Sequence, residues 1–487
     1  MKATATNLWN KIEELQAQFA VDRELANTFG KLVEEQSDWD SFRINPLRFA
    51  ARHGLDATQT VNLFIYGTKA GLFELDWNLI CPMCGCVEHT YDSLNQIAMG
   101  DTFYCTLCDE HIETELDNFV EVSFNLSPQV RELDIHPFAD QDSYFRYFFS
   151  QNFVRPQAFV DYLLHQSIKQ FAPLPPNGSV TLTINGKPGE HYRLISLDKH
   201  SVATVQFTDE VRTALHTVDL QAGSNGLRPT EIEIGSGPLE IRVTNQDAQE
   251  TAFALMLSDW EHLSSLLNCE AGNSLMEVKP FLSGKMLLNN QKFRESFLVE
   301  NLPNGMNLKI SNLTILFTDL KGSTSLYEKT GDVEAYRLVQ DHFRLLTDVV
   351  SQHDGATVKT MGDAIMASFS TPGDAVTAAL AMVREMKALN DSIVDLDTTL
   401  ELKIGLHTGP ALAVKANETI DFFGQTVNLA ARVQGQAEAG EVWISEAIQS
   451  DPAVQDVLAA NGCRAEKHTV TLKGVNSPST IYRCVTA

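Results

Sequence analysis

Between Leu313 and Arg432 the chain carries two aspartates, a lysine, a third aspartate, an asparagine and an arginine, spaced as a reaction site would need them. Asp319 follows the apolar run Leu313-Thr314-Ile315-Leu316-Phe317-Thr318 and precedes Leu320-Lys321-Gly322-Ser323-Thr324. That pattern reads as a buried strand delivering a carboxylate into a small, Gly/Ser/Thr-rich turn. Asp363 follows Lys359-Thr360-Met361-Gly362, and the β-rich residues around it predict a hairpin. Two carboxylates at the ends of adjacent strands, beside a turn with free backbone N–H groups, suit a pair of divalent cations holding a triphosphate. Such a pair lowers the pKa of an attacking hydroxyl and stabilises the leaving oxygen in one in-line displacement. Taken singly, each aspartate reads rather as a turn cap. Ile420-Asp421-Phe422-Phe423-Gly424-Gln425-Thr426-Val427-Asn428-Leu429-Ala430-Ala431-Arg432 changes that balance. In a helix over 427–432, Asn428 and Arg432 share one face, so both reach one bound nucleotide.

A second constellation lies far upstream. Cys81, Cys84, Cys105 and Cys108 form a C-x2-C-x20-C-x2-C arrangement. Each turn presents two thiolates to one ion, and the closed set of four predicts one structural Zn2+ in a zinc ribbon. Cys86 is surplus; it, His89 or His111 stands as an alternative to one of the four, and a redox C-x-x-C pair is the competing reading. Cys269, Cys463 and Cys484 are scattered and read as buried thiols. Asp92, Asp101, Asp109, Glu110, Glu113, Glu115 and Asp117 surround the cluster and argue against a nucleic-acid-binding ribbon.

The elements that must position these groups are set by periodicity. After Asp319, apolar residues at Tyr336, Val339, Phe343, Leu346 and Val350 predict a long helix stopping at Asp354-Gly355. Thr371-Pro372-Gly373-Asp374 opens a second helix running to about Leu389, and strands come next near 400–407 and 411–414. The order βαββαβ predicts helices layered on a mixed sheet. Residues 1–75 read as helical: Leu8, Ile12, Leu15 and Phe19 repeat at helical spacing, an amphipathic run covers 22–35, and Asp56-Ala57-Thr58-Gln59 opens a helix ending near Gly71. With a wing at Leu72–Leu75 this is weakly helix-turn-helix-like. Lys69 is the one strong cation from Ala57 to Lys69, so a docking or packing module is the better reading. Residues 76–118 are the zinc ribbon. Residues 119–268 alternate at period two (Val120, Val122, Phe124, Leu126; Val180, Leu182, Ile184; Leu239, Ile241, Val243), predicting half-buried strands in a sandwich-like regulatory domain. Its aromatic run Tyr144–Phe149 reads as core, with a pocket lining as the alternative. Residues 269–312 read as a linker carrying one helix, 290–298.

At 487 residues the chain is multidomain, and 44% hydrophobic with 21% charged residues is ordinary for globular protein. A formal net charge of −26 disfavours nucleic acid and anionic membrane as nonspecific partners. The N-terminus runs into charged helix, and no apolar run spans a bilayer, so a cytoplasmic location with no membrane partner is expected.

At Asp319, Lys359, Asp363, Asp421, Asn428 and Arg432 together, residues 313–487 resemble the class III nucleotidyl cyclases, the family containing most adenylyl and guanylyl cyclases. The resemblance implies an α+β, ferredoxin-like catalytic domain. It implies that Asp319 and Asp363, with the Leu320 carbonyl, bind two Mg2+ or Mn2+ ions per active site. Lys359 and Asp421 would face adenine, Asn428 the ribose, Arg432 the α-phosphate, and Lys473 in Thr471-Leu472-Lys473-Gly474 the phosphates. It further implies a head-to-tail homodimer through the cyclase domain. Lysine only donates and ionised aspartate only accepts, which matches adenine's N1 and exocyclic amine and mismatches guanine. The arrangement is also similar to bacterial soluble cyclases with an N-terminal zinc ribbon. The expectation is an adenylyl cyclase converting ATP to 3',5'-cyclic AMP and pyrophosphate, regulated by an N-terminal half that answers to an unidentified ligand or protein. A guanylyl cyclase and a non-catalytic ATP-sensing protein are the alternatives. Intact Asn428 and Arg432 argue against mere sensing, which does not require transition-state groups.

Overall fold

The computed structural model describes residues 2–97, 102–108, 110–113, 115–117, 119–259, 262, 265–266, 277–297, 307–321, 331–392, 399–416, 419–474 and 477–486. The turn after Lys321, Cys269, Asp101 and Asp109 lie outside the described residues. Among the described residues no helix is long and apolar enough to cross a membrane.

Four helices open the chain: α1 (Lys2–Phe19), α2 (Arg23–Glu34), α3 (Pro46–His53) and α4 (Ala57–Lys69). Asp22, Asn45 and Asp56 each accept a first-turn backbone N–H, satisfying donors that a helix start leaves free. Phe29, Phe49 and Phe64 meet edge to face at 5.1 to 5.7 Å and make the apolar centre of this bundle. Lys69 lies over the Phe297 ring at 4.6 Å. The cation of the supposed recognition helix thus faces the linker.

The strand after α4 is not a short wing. β1 (Phe73–Ile80) is the central strand of a three-stranded antiparallel sheet, with β2 (Val87–Tyr91) on one side and β5 (Val120–Leu126) on the other. The hairpin of β3 (Thr102–Cys105) and β4 (Glu110–Glu113) lies in the chain between β2 and β5. One sheet therefore crosses the boundaries expected at 75/76 and 118/119. β5 is buried on both faces, Glu121 and Ser123 included, because the Val122 N–H donates to the Leu282 carbonyl at 2.7 Å and brings the linker against it. The aromatic run 144–149 is largely helical, α5 (Gln141–Phe148), and its Tyr144 is fully buried with its hydroxyl accepting from the Leu197 N–H at 2.7 Å.

Eight strands form the β-rich region: β6 (Ile168–Leu174), β7 (Ser179–Gly186), β8 (His191–Ser196), β9 (Ser201–Val211), β10 (His216–Gly223), β11 (Gly226–Arg228), β12 (Glu231–Asn245) and β13 (Thr251–Leu257). β12 pairs with β9 along its first half and with β7 and β10 along its second. Gly237, at φ +138, marks the change: a Cβ there would stand 2.1 Å from the Arg212 carbonyl oxygen. The strand bends where only glycine fits.

Among its described residues the linker holds two helices, α6 (Gly284–Leu288) and α7 (Gln291–Ser296), whose Leu287, Leu288 and Phe293 are buried. The C-terminal sheet then runs in the order β15 (Gly355–Met361), β16 (Ala364–Phe369), β14 (Asn307–Lys321), β17 (Glu401–Ala416), β19 (Glu441–Ser445), β21 (Ser479–Thr486), β20 (Cys463–Val470), with β18 (Thr419–Phe423) paired to β17. β14 begins six residues before the expected start at 313, and the two strands expected near 400–407 and 411–414 are one. Helices α8 (Asp332–Gln352) and α9 (Pro372–Ser392) cover one face through Leu316, Leu320, Ile365 and Leu406. Tyr336, placed on the apolar stripe of α8 by its spacing, is 61% exposed, and Ala335 and Leu338 face the sheet instead. The other face, through Ile315, Phe317, Met366 and Phe422, joins the core that holds α4, α6 and α7. Asp117 fixes the junction by accepting from the backbone N–H groups of Ser311 and Asn312 at 3.1 Å each.

Candidate active site

Asp319 sits near the end of β14, opposite Lys403 of β17. Its neighbour Thr318 is buried and accepts the Ile365 N–H at 3.0 Å, tying β14 to β16. The hairpin β15–β16 turns through Gly362, at φ +65, and Asp363. Burial raises the Asp319 carboxyl above its ordinary range, and the negative charge of Asp363 raises it further against the opposing pull of Lys403. Two carboxylates in mutual repulsion at strand ends are a donor set that divalent cations relieve. His342 of α8, fully buried, donates through Nε2 to the Asp363 carbonyl at 3.3 Å. Burial holds that imidazole neutral down to about 4. His342 is not among the residues expected from the sequence, where its only signal is a place on the apolar stripe, three residues after Val339.

Lys359 of β15 and Asp421 of β18 form an ion pair, Nζ to Oδ2 at 2.5 Å, with the lysine 41% and the aspartate 18% exposed. The Phe422 N–H donates to the other carboxylate oxygen at 2.8 Å and fixes its plane. Arg294 of α7 donates to the neighbouring Ile420 carbonyl, and its charge feels that of Asp421.

Gly424 (φ +141) leads into α10 (Gln425–Gln434). Thr426 anchors its start, donating to the Pro410 carbonyl at 2.6 Å. Its end lies on Gly405 of β17, where a Cβ would come 2.0 Å from the Gln434 nitrogen. Asn428 is exposed and Arg432 half-buried on the same helix. Arg432 rests over the turn that carries Lys473: its guanidinium is 3.4 Å from where a Cβ on Gly474 would stand. The predicted residues thus gather as Asp319 with Asp363, Lys359 with Asp421, and Arg432 with the turn that carries Lys473, while the side chain of Leu320 is buried in the core under α8 and α9.

The cysteine cluster is equally well gathered. The ligand atoms of Cys81, Cys84, Cys105 and Cys108 all lie within 4.8 Å of one another, with Cys81–Cys108 at 3.8 Å and Cys84–Cys105 at 3.6 Å. Four sulfurs about 2.3 Å from a central tetrahedral ion stand about 3.8 Å apart, so the set has the size of one Zn–S4 site. Hydrogen bonds among the four thiols hold Cys81 on the thiolate side, lower Cys105 to about 7, and push Cys84 and Cys108 up. Arg193 donates to the carbonyls of Thr106 and Leu107 at 2.9 Å each, and Arg155 to that of Cys84. Cys86 is buried outside the group of four, where its N–H donates to the Cys84 sulfur at 3.4 Å.

Residues 10–295 match the family of unknown function DUF5939. That match covers more than half of the chain. The chain belongs to the DUF5939 family. Residues 307–480 match the adenylate and guanylate cyclase catalytic domain, so a class III cyclase domain comes after the DUF5939 region. The serine/threonine-protein kinase pkn2 of Myxococcus xanthus is 30% identical over 180 residues, 36% of this chain and 20% of that protein. Guanylate cyclase 2G of Rattus norvegicus is 26% identical over 258 residues, 50% of this chain and 22% of that protein. The chain spans about a fifth of the length of these curated relatives. The crystal structure of the adenylyl cyclase CyaB from P. aeruginosa aligns with TM-score 0.34 and 24% identity, over 37% of this chain and 96% of that chain. Arg294 belongs to the DUF5939 region, so that region touches the cyclase domain one residue from Asp421.

Proposed function

We propose that this chain is an adenylyl cyclase that converts ATP to 3',5'-cyclic AMP and pyrophosphate under control of its DUF5939 region. The observation that carries the reading is the Lys359–Asp421 pair: a group that only donates and a group that only accepts, 2.5 Å apart and partly open to solvent. Adenine N1 accepts and its exocyclic amine donates, so the base enters by exchanging each partner of the ion pair for one edge group. Guanine presents the reverse pattern and leaves both side chains unmatched. That guanylate cyclase 2G is among the relatives favours GTP as the second reading.

Asp319, Asp363 and the Leu320 carbonyl would hold divalent Mg2+ or Mn2+, and the raised carboxyl of Asp319 fits a site completed by cations. When bound, such ions supply Lewis acidity to the triphosphate and acidify the ribose 3'-hydroxyl. The chain's own groups do the rest. Asn428 orients the ribose, Arg432 meets charge developing on the α-phosphate as the 3'-oxygen attacks, and Lys473 holds the departing pyrophosphate. His342 keeps the Asp363 turn in place without adding charge. The acidic and base-facing sets are each present once, which supports a head-to-tail homodimer with two equivalent sites.

The cysteine cluster is assigned to one structural Zn2+, with Arg155 and Arg193 offsetting the thiolate charge. The contact of α7 with β15 and β18, through Gln291 to the Thr357 N–H (2.8 Å) and Arg294 to Ile420, supports control by the first half of the chain. The test is to incubate the purified chain with ATP or GTP and Mg2+ or Mn2+, quantifying both cyclic products with Asp319→Ala as control. Cyclic AMP from the wild type, lost in the variant, is the expected result. No cyclic nucleotide from folded, dimeric protein would overturn the reading.

A further inference from the structure

A cavity of about 100 Å³ lies within the DUF5939 region between the start of α3 and the end of α5. That is well above the ~10–15 Å³ one water needs, and suits a small polyatomic ion. Four arginines line it: Arg43, Arg48, Arg52 and Arg146. In a chain of net charge −26, four guanidinium groups from segments about a hundred residues apart converge on one small space. Their existing partners leave donors over. Arg43 donates to the Tyr147 carbonyl and, at 3.0 Å, to Thr90 Oγ1, while its Nε is buried with no partner. Arg48 reaches the Gln151 carbonyl at 3.3 Å, Arg52 pairs with Asp40 at 3.5 Å, and Arg146 lies over the Trp39 ring at 4.6 Å. A guanidinium has five N–H donors, in a fork that fits carboxylate and phosphate oxygens. Two carboxylates share the wall. Asp40 is part-exposed and faces Arg52; Glu121 is buried, accepts from Ser150 Oγ, and is held toward its neutral form by that burial.

The floor of the cavity is also the start of the path to the cyclase domain. Asn45 donates through Nδ2 to Asn152 at 2.9 Å and to the Pro280 carbonyl at 2.8 Å, and Glu121 bridges Ser283 through its backbone. Ser283 caps α6, and α7 comes next with Arg294 on Ile420. We propose that this cavity is the effector site of the DUF5939 region, binding a small carboxylate or phosphate oxyanion, and that its occupancy reaches the Lys359–Asp421 pair through residues 280–294. The transmission rests on the chain being a cyclase; the binding does not.

Titration calorimetry on the full chain at fixed ionic strength, with inorganic phosphate in one arm and succinate in the other, tests it. The expected result is one anion bound per chain in at least one arm, which also tells phosphate from carboxylate. Affinity falls tenfold or more in Arg48→Gln/Arg52→Gln and in Arg146→Gln, with zinc content and circular dichroism unchanged. Saturation shifts wild-type cyclase turnover at least threefold and leaves the double variant unmoved. Binding in neither arm, or equal binding in the variants, overturns the site, the latter meaning an adventitious ion only or one held at the catalytic centre. Binding that the variants abolish but that leaves wild-type turnover unchanged overturns the transmission. Should no preparation form cyclic nucleotide, the calorimetry alone still decides the site.

Discussion

Arg294 donates a hydrogen bond to the carbonyl of Ile420, 126 residues further along the chain and next to Asp421. Burial lowers its guanidinium to about 10 against the opposing charge of Asp421, so the contact is kept at an electrostatic cost. A device that restrains β18 would be built this way. Arg294→Ala is expected to raise turnover on ATP three- to tenfold, or about 0.7 to 1.4 kcal/mol of barrier. Initial rates at saturating ATP check this; an unchanged or lower rate would make α7 a packing element only.

In the proposed reaction Arg432 meets the α-phosphate only as charge develops there. Arg432→Ala should therefore cut turnover by about 10² to 10³ with little change in KM, by analogy with a lost oxyanion donor. Steady-state kinetics on protein of unaltered circular dichroism decide it, and a variant keeping most of its turnover contradicts the assigned role.

Lys359→Gln replaces a pure donor by a group that both donates and accepts. Selectivity for ATP over GTP should fall by about 10², short of the ~10⁴ that a fully mismatched polar site achieves. Competition between the two nucleotides in one tube, resolved by chromatography of the cyclic products, measures the ratio directly. An unchanged ratio would remove Lys359 from base recognition.

Metal analysis should find one zinc per chain, lost in Cys108→Ser. Because only the folded chain gathers the four sulfurs, binding adds to stability, by about 4 kcal/mol at a thousandfold excess over Kd. Chelation should then lower the melting temperature of the first half, a shift that Cys463→Ser does not reproduce. Melting curves indifferent to chelator would sink the structural assignment.

His407 of β17 is held neutral to about 4 by burial, with Nδ1 2.8 Å from Ser445 Oγ. Between about 6.5 and 4 the unfolded chain therefore binds the extra proton, and stability falls as pH drops through that window. The loss by pH 5 is about 1 to 2 kcal/mol for this one group. Denaturant midpoints at pH 7 and pH 5 should lie closer together in His407→Gln than in the wild type; equal spacing would mean the histidine titrates normally.

The hairpin at Asp363, the shared face of Asn428 and Arg432, and the two cysteine turns were legible because each is set within a dozen residues by turn chemistry or helical period. The features that could not be read depend on distant partners. β1 looked like a wing because its partner β5 lies some forty residues away, beyond the hairpin of β3 and β4. β17 looked like two strands because Gly409-Pro410 interrupts it. Pro410 is tolerated there because β14 bulges opposite it, between Ile310 and Leu313, so no ladder donor is missed. His342 and Arg294 were invisible for the same reason: their roles lie in a carbonyl on another element.

That bulge has a consequence for how the protein is made. The two N–H groups it frees, on Ser311 and Asn312, are received by Asp117, 194 residues earlier than Ser311 in the chain. At about 5 to 20 residues per second a ribosome delivers Asp117 roughly 10 to 40 seconds before β14 emerges. The first half has time to fold and to offer a formed bracket to the strand on which the C-terminal sheet is laid down, so during synthesis it serves as a template for that sheet.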